Sequence, residues 1–151
     1  MQYESIKEIL HYVEGLLRTQ AEEKELQLIV ECEEMPLYFC NKDKISQMFI
    51  NLIENAIKYT EKGSVTVHCK YQGEYFILEV KDTGIGIPEE SIERIFERFY
   101  RVDKSRSRKA GGTGLGLSIV KHIMMLYNGK VKVESKEGIG TTFTIIMPYE
   151  I

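Results

Sequence analysis

The stretch Asn51-Leu-Ile-Glu-Asn55-Ala-Ile-Lys58-Tyr59-Thr60 joins a helix face that favours the core to an unusual set of polar residues. Its apolar residues recur at helical spacing, which predicts a helix with one buried face. At about 100° per residue, Asn51, Asn55 and Lys58 lie on a second stripe beside that face. An amide oxygen can complete a Mg²⁺ shell, an ammonium can meet phosphate oxygens, and the Tyr59 ring can cover a base. The plain alternative is the solvated flank of an amphipathic helix.

A second segment of interest, Asp82-Thr-Gly84-Ile-Gly86, leaves a predicted strand. A carboxylate fixed at a strand end, followed by glycines that let the backbone approach a flat ligand, suits recognition of an amine edge such as adenine N6. The alternative is a simple turn that leaves the strand.

A third segment, Gly112-Thr113-Gly114-Leu115-Gly116, opens directly into an apolar helix. Free backbone N–H groups and the positive dipole end make such a junction an anion site, although small residues at a helix start also permit close packing. The segment matches neither the P-loop pattern nor the Rossmann glycine pattern, and the sequence lacks the H-R-D and D-F-G motifs of protein kinases.

Composition describes one ordinary globular domain. The chain has 151 residues, of which 43% are hydrophobic and 28% charged. A net charge of −3 argues against a general nucleic-acid-binding surface. The cysteines at 32, 40 and 69 show no metal-ligand spacing and fit reduced thiols in a cytoplasmic setting. No apolar run approaches the roughly 20 residues that span a bilayer, so we expect a cytoplasmic domain without membrane contact.

Hydrophobic periodicity predicts an α/β (α+β) two-layer sandwich, in which a mixed sheet of about five strands is covered on one face by about three helices. We expect an N-terminal helix over residues 1–23 and a second unit over residues 24–151. The predicted helices are Gln2–Glu23, Lys42–Tyr59, Glu89–Ile95 and Leu115–Tyr127, the last buried on most sides, and the predicted strands are Leu26–Cys32, Leu37–Cys40, Ser64–Tyr71, Tyr75–Lys81, Val131–Ser135 and Thr141–Met147.

Residues 96–113 have no clear period, and they hold basic side chains at positions 101, 104, 106, 108 and 109. A long irregular stretch in a small domain is usually functional or disordered. It is interpreted either as a solvated linker or as a lid that grips phosphate. Arg101 is the sharpest candidate for such a role, because it follows the aromatic pair Phe99-Tyr100.

Taken together, these segments resemble the catalytic, ATP-binding domain of bacterial two-component sensor histidine kinases. Asn51–Tyr59 resembles the asparagine box of that family and Asp82–Pro88 its first glycine box. Ile95–Arg101 resembles the phenylalanine box and Gly112–Gly116 the second glycine box. The resemblance covers about residues 25–149. It implies a Bergerat-type fold, shared with gyrase B, Hsp90 and MutL, and it implies ATP and Mg²⁺ as cofactors.

The resemblance also implies residue roles. Asn55 would bind Mg²⁺ with Asn51 nearby, Lys58 would contact phosphates, and Asp82 would accept the adenine amine. The lid would span residues 97–113, with Arg101 near the γ-phosphate. Further nucleotide contacts would come from Tyr59, Gly84, Gly86, Ile87, Tyr100, Gly112, Thr113, Gly114, Leu115 and Gly116.

The family transfers the γ-phosphoryl group to a histidine on a dimerisation domain, for relay to an aspartate on a response regulator. No His-Glu-x-x-x-Pro sequence is present, so we expect the catalytic domain of a longer kinase, monomeric when isolated. One alternative is an ATPase of the same fold group. Such hydrolases place a glutamate four residues before the Mg²⁺-binding asparagine, whereas this chain has Asn51, which cannot act as a general base. A nucleotide-binding interaction module without catalysis is the other alternative.

Overall fold

A computed structural model describes residues 1–98, 100 and 115–150. Its helices are α1 (Ile6–Glu23), α2 (Lys42–Lys58) and α3 (Gly116–Leu126), with a 3₁₀ helix at Glu89–Arg94. Its strands are β1 (Gln2–Glu4), β2 (Gln27–Cys32), β3 (Tyr38–Cys40), β4 (Ser64–Gln72), β5 (Tyr75–Asp82), β6 (Lys130–Lys136) and β7 (Gly140–Pro148).

Five of these strands form one mixed sheet in the order β2-β4-β5-β7-β6, and the predicted α/β sandwich is confirmed. β2 pairs with β4 in parallel, and the other neighbours are antiparallel. Burial alternates along the central strands, as expected when one face of a sheet is covered. Asp82 pairs with Val65 on one side and Thr141 on the other, and all three are buried. The last residue of β5 therefore belongs to the covered face.

The central helix, α2, owes its position to its apolar face. Ile45, Phe49, Leu52 and Ile53 are fully buried, and Phe49 packs edge-on against Phe76 of β5. Each side chain of this size contributes about 1.5–3 kcal/mol on complete burial. The Asn41 side chain caps the helix start by accepting from the Lys44 N–H (3.0 Å). With this face fixed, the polar stripe of α2 has a defined direction.

The N-terminal helix starts later than the sequence suggests. Ser5 caps α1 by accepting from the Glu8 N–H (3.2 Å), and residues 2–4 instead form β1, which pairs with β3. A strand of three residues is too short for periodicity to reveal it. α1 packs on the same core as α2, through buried residues that include Leu10, Val13 and Leu17.

The prediction that α3 is buried on most sides is wrong. Val120, Ile123 and Met124 are buried, but Met125 and Leu126 are 63% and 50% exposed. α3 packs against α2 along one face only. Because most residues of α3 are apolar, the sequence does not show which face that is. The segment predicted as a helix over 89–95 is a 3₁₀ helix. Within the described residues, no helix combines the length and apolar character that crossing a membrane requires.

Candidate functional site

The polar stripe of α2 meets the start of α3. The Asn51 side-chain amide donates to the Gly116 carbonyl oxygen (3.3 Å), and its oxygen accepts from the Gln47 side chain (2.8 Å). Gly116 is the first residue of α3, and a Cβ built on it would meet nothing within 4 Å among the described atoms. Leu115 precedes it, and its carbonyl oxygen accepts from the Ile119 N–H (3.1 Å). The structure thus places Asn51, of the first segment that the sequence singled out, beside Gly116, the last residue of the third.

Further along the stripe lie Asn55 and Lys58, both half-buried. The Lys58 ammonium is 3.6 Å from a Glu54 carboxylate oxygen, and each side chain is about one third exposed. Ion pairs of this exposure contribute little stability, so Lys58 can exchange Glu54 for another anion at low cost. Among the described residues, none makes a side-chain hydrogen bond to Asn55. No residue that the structure describes therefore occupies its amide oxygen.

Asp82 is the last residue of β5, and two backbone N–H groups hold its side chain. Its Oδ1 accepts from the Gly84 N–H (2.9 Å) and from the Thr141 N–H (3.2 Å). Burial raises the pKa of Asp82, and these two backbone hydrogen bonds partly counter the shift. No described residue hydrogen-bonds Oδ2. A buried carboxylate with one oxygen fixed and the other available suits an amine donor.

The glycines after Asp82 hold the loop against its neighbours. A Cβ on Gly84 would overlap the Tyr59 carbonyl oxygen, and the same oxygen accepts from the Ile85 N–H (3.1 Å). Gly86 has a φ of +74°, and a Cβ there would overlap the Lys136 backbone. Glycine is therefore required for backbone packing at both positions. The packing at Gly84 ties the loop after Asp82 to the end of α2, and the packing at Gly86 ties it to β6.

Sequence reasoning missed two residues that build the wall beside Asp82. Thr141 supplies one of the backbone donors to Asp82, and its hydroxyl lies 2.8 Å from that of Ser135. The Ser135 hydroxyl in turn accepts from the Ile87 N–H (2.7 Å). Thr141 lies in the Gly140-Thr-Thr-Phe143 stretch of the closing strand, which was the available signal. Ser135 has no comparable local pattern.

The aromatic segment before the basic stretch packs on the sheet and the 3₁₀ helix. Phe96 packs edge-on against Phe143, with ring centroids 6.2 Å apart. The Tyr100 hydroxyl donates to Ser91 Oγ (2.9 Å), and the Arg94 guanidinium lies 4.5 Å from the Tyr100 ring centroid. The predicted contact of Tyr100 with nucleotide remains a prediction. Four predicted site residues lie outside the described residues, namely Arg101, Gly112, Thr113 and Gly114.

The fold and these groups define a class of protein. It is an α/β sandwich in which a buried carboxylate, Asp82, lies near the end of a helix that carries two amides, Asn51 and Asn55, and a lysine, Lys58. Residues 40–151 match the family described as histidine kinase-, DNA gyrase B-, and HSP90-like ATPase, and the chain belongs to this family.

The similar proteins of known sequence are sensor kinases. The chain is 42% identical over 132 residues to the sensor histidine kinase WalK of Bacillus subtilis, which covers 85% of this chain and 22% of WalK. It is 39% identical over 142 residues to the sensor histidine kinase YclK of the same organism, with 93% of this chain and 30% of YclK covered. The chain thus spans less than a third of either relative.

Two solved structures share the fold. Full-length ShkA in complex with AMPPNP superposes with a TM-score of 0.85 and 29% identity, over 98% of this chain and 31% of that one. The catalytic domain of the histidine kinase ThkA, in a nucleotide-free form, gives a TM-score of 0.84 and 27% identity, over 99% of this chain and 97% of that one. The family and the AMPPNP complex of ShkA support ATP binding by this chain.

Proposed function

We propose that this domain binds Mg²⁺-ATP and transfers the γ-phosphoryl group to a histidine on a dimerisation domain of its parent sensor kinase, for relay to a response-regulator aspartate. The observation that carries the proposal is the buried Asp82 carboxylate, with Oδ1 fixed by two backbone N–H groups. This oxygen arrangement leaves Oδ2 to accept the adenine amine. The glycine packing of the following loop would keep that geometry constant.

The phosphate end of the nucleotide would lie along the polar stripe of α2. Lys58 would exchange Glu54 for a phosphate oxygen. The phosphates would approach the N-terminus of α3 at Gly116, where a Cβ would meet no described atom within 4 Å. Asn55 offers a half-buried amide oxygen, a ligand type that suits Mg²⁺, a cation that usually binds one or two protein oxygens together with substrate phosphates. When bound, Mg²⁺ neutralises charge on the phosphates. Arg101, on the proposed lid over 97–113, would approach the γ-phosphate.

Transfer is favoured over hydrolysis by the surroundings of Asn51. A hydrolase needs a general base beside the attacking water, and a neutral amide cannot serve. In addition, both ends of the Asn51 amide are engaged, with Gln47 and with the Gly116 carbonyl. The other carboxylate close in sequence, Glu54, accepts a hydrogen bond from the Gln20 side chain of α1. The observations therefore support a site that positions ATP for an external acceptor, as phosphoryl transfer requires.

The test uses the domain together with the dimerisation domain of its parent kinase, Mg²⁺ and γ-labelled ATP. We expect acid-labile, alkali-stable label on the dimerisation domain. Asn55→Ala should abolish both this label and Mg²⁺-dependent ATP binding measured by calorimetry. Free labelled phosphate without labelled protein would support the ATPase alternative. ATP binding without either product would support the interaction module.

A further inference from the structure

Lys24 holds the last turn of α2 from outside that helix. It follows the end of α1, and its ammonium donates to the carbonyl oxygens of Ile57 (2.7 Å) and Lys58 (3.0 Å). The last carbonyls of a helix have no partner within the helix, so an ammonium there completes their hydrogen bonding and meets the negative end of the helix dipole. Burial lowers the pKa of Lys24, and the nearby Glu61 carboxylate counters part of that shift.

A second contact joins the same two helices one turn earlier. The Gln20 side chain of α1 donates to one Glu54 carboxylate oxygen (3.3 Å). The other oxygen of that carboxylate is the one that lies 3.6 Å from the Lys58 ammonium. The end of α1 therefore contacts the backbone of Lys58 directly, through Lys24. It contacts the side chain of Lys58 indirectly, because Gln20 binds the Glu54 carboxylate that lies near the Lys58 ammonium.

The residue that follows this turn contacts the Asp82 loop. Tyr59, the residue after Lys58, accepts the Ile85 N–H through its carbonyl oxygen, and Gly84 packs directly against that carbonyl. The last turn of α2 is thus held between the end of α1 and the loop that follows Asp82. If one of these two contacts is removed, the turn keeps its buried apolar face but loses a polar contact that fixes the backbone of Lys58.

We propose that Lys24 is a positioning residue for nucleotide binding, which fixes the last turn of α2 so that Lys58 reaches the phosphates of a nucleotide whose base is held at Asp82. The inference rests on the proposed nucleotide site and extends it to α1. It assigns Lys24 no contact with nucleotide, because the ammonium is already directed at the helix carbonyls. The sequence offers no local signal for it, since Lys24 lies 33 and 34 residues from its two acceptors.

The test compares the affinities for ATP with Mg²⁺ and for adenosine, measured by titration calorimetry. Lys24→Met should weaken ATP binding about threefold to tenfold, because one charge-assisted contact that places Lys58 is lost. Adenosine binding should be unchanged, because adenosine lacks phosphates. Lys24→Arg should restore the ATP affinity, since a guanidinium also donates to two oxygens. Lys44→Met is the matched control: it removes an exposed lysine at the other end of α2, and it should change neither affinity.

A general loss of stability would weaken ATP and adenosine binding alike, and that result would overturn the inference, as would an unchanged ATP affinity in Lys24→Met. If Lys24→Met does not fold, Lys24→Gln replaces it, because the glutamine side chain keeps one of the two hydrogen bonds. A lower ratio of ATP affinity to adenosine affinity than in the wild type would support the inference, and an unchanged ratio would overturn it. The two proposals fail differently. A wild-type domain that does not bind ATP refutes the proposed function. If the wild-type domain binds ATP and Lys24→Met binds it with the same affinity, only the role of Lys24 is refuted.

Discussion

Replacement of Asp82 by asparagine separates recognition of the base from stability of the fold. The asparagine oxygen can still accept from the backbone N–H groups of Gly84 and Thr141, so the loop should keep its structure. The atom at the position of Oδ2 becomes an NH₂ group, which is a donor. It would face the adenine amine, which is also a donor. The variant should therefore lose base recognition while it stays folded.

The magnitude follows from the single bond lost. A hydrogen bond to a charged group is worth about 1.5–3 kcal/mol, which corresponds to roughly tenfold to 150-fold in affinity. We expect Asp82→Asn to weaken ATP binding within that range. GTP presents a carbonyl oxygen where ATP presents its amine, and the new NH₂ group can donate to it. The preference for ATP over GTP should fall correspondingly, as measured by competition calorimetry.

The stability of the Asp82→Asn domain should not fall together with its ATP affinity. Because burial raises the pKa of Asp82 in the folded state, its charged form costs stability at neutral pH, and this cost is relieved as pH falls through the raised value. Asp82→Asn removes the charge, so its melting temperature at neutral pH should be no lower than that of the wild type. ATP affinity of the wild type should fall at acidic pH as Asp82 takes up a proton, and the variant should not show that component.

Asp43→Asn is the matched control, because Asp43 is an exposed aspartate in the first turn of α2. It makes the same chemical change away from the site and should leave ATP affinity and the ATP-to-GTP preference unaltered. An Asp82→Asn domain that is folded and binds ATP within about twofold of wild type would refute the role of this carboxylate, since the loss of a charge-assisted hydrogen bond exceeds that difference.

Two glycine substitutions give contrasting predictions. Gly84→Ala should destabilise the domain by about 1–3 kcal/mol, because its Cβ would overlap the Tyr59 carbonyl oxygen and the backbone must shift; chemical denaturation measures this, and an unchanged midpoint would contradict the close packing. Gly116→Ala should leave the denaturation midpoint the same or higher, because a Cβ there meets no described atom within 4 Å and alanine favours a helix. It should weaken ATP binding in calorimetry if phosphates approach this helix start, and an unchanged affinity would place the phosphates elsewhere.

The sequence was most informative where a pattern is long and local. The apolar repeat of α2 predicted Lys42–Tyr59, and the helix is Lys42–Lys58. The alternating strands of the central sheet were predicted within a residue or two at each end, since burial on one face imposes a period of two over eight or nine residues. The position of Asp82 at the end of β5 followed from the same alternation.

The contacts that the sequence did not predict are those between distant residues. Thr141 reaches Asp82 across 59 residues of sequence, and the Gly140-Thr-Thr-Phe143 stretch does not show that its partner is Asp82. The exposed side of α3 was missed for a related reason: a helix that is apolar all round does not show which face its neighbours leave uncovered. The glycines after Asp82 were interpreted as room for a ligand, and their close packing against Tyr59 and Lys136 depends on the tertiary fold.

The site divides into a rigid part and an adjustable part, and this division bears on how binding energy is used. Asp82 is 6% exposed and held by two backbone hydrogen bonds, so under the proposed function a base would bind there without rearrangement. Lys58 is about one third exposed and contacts Glu54, so phosphate binding by Lys58 would exchange one ion pair for another. Binding to a preorganised group avoids an ordering cost that a mobile side chain incurs. The base should therefore supply most of the affinity, while the α2 turn sets where the phosphates lie.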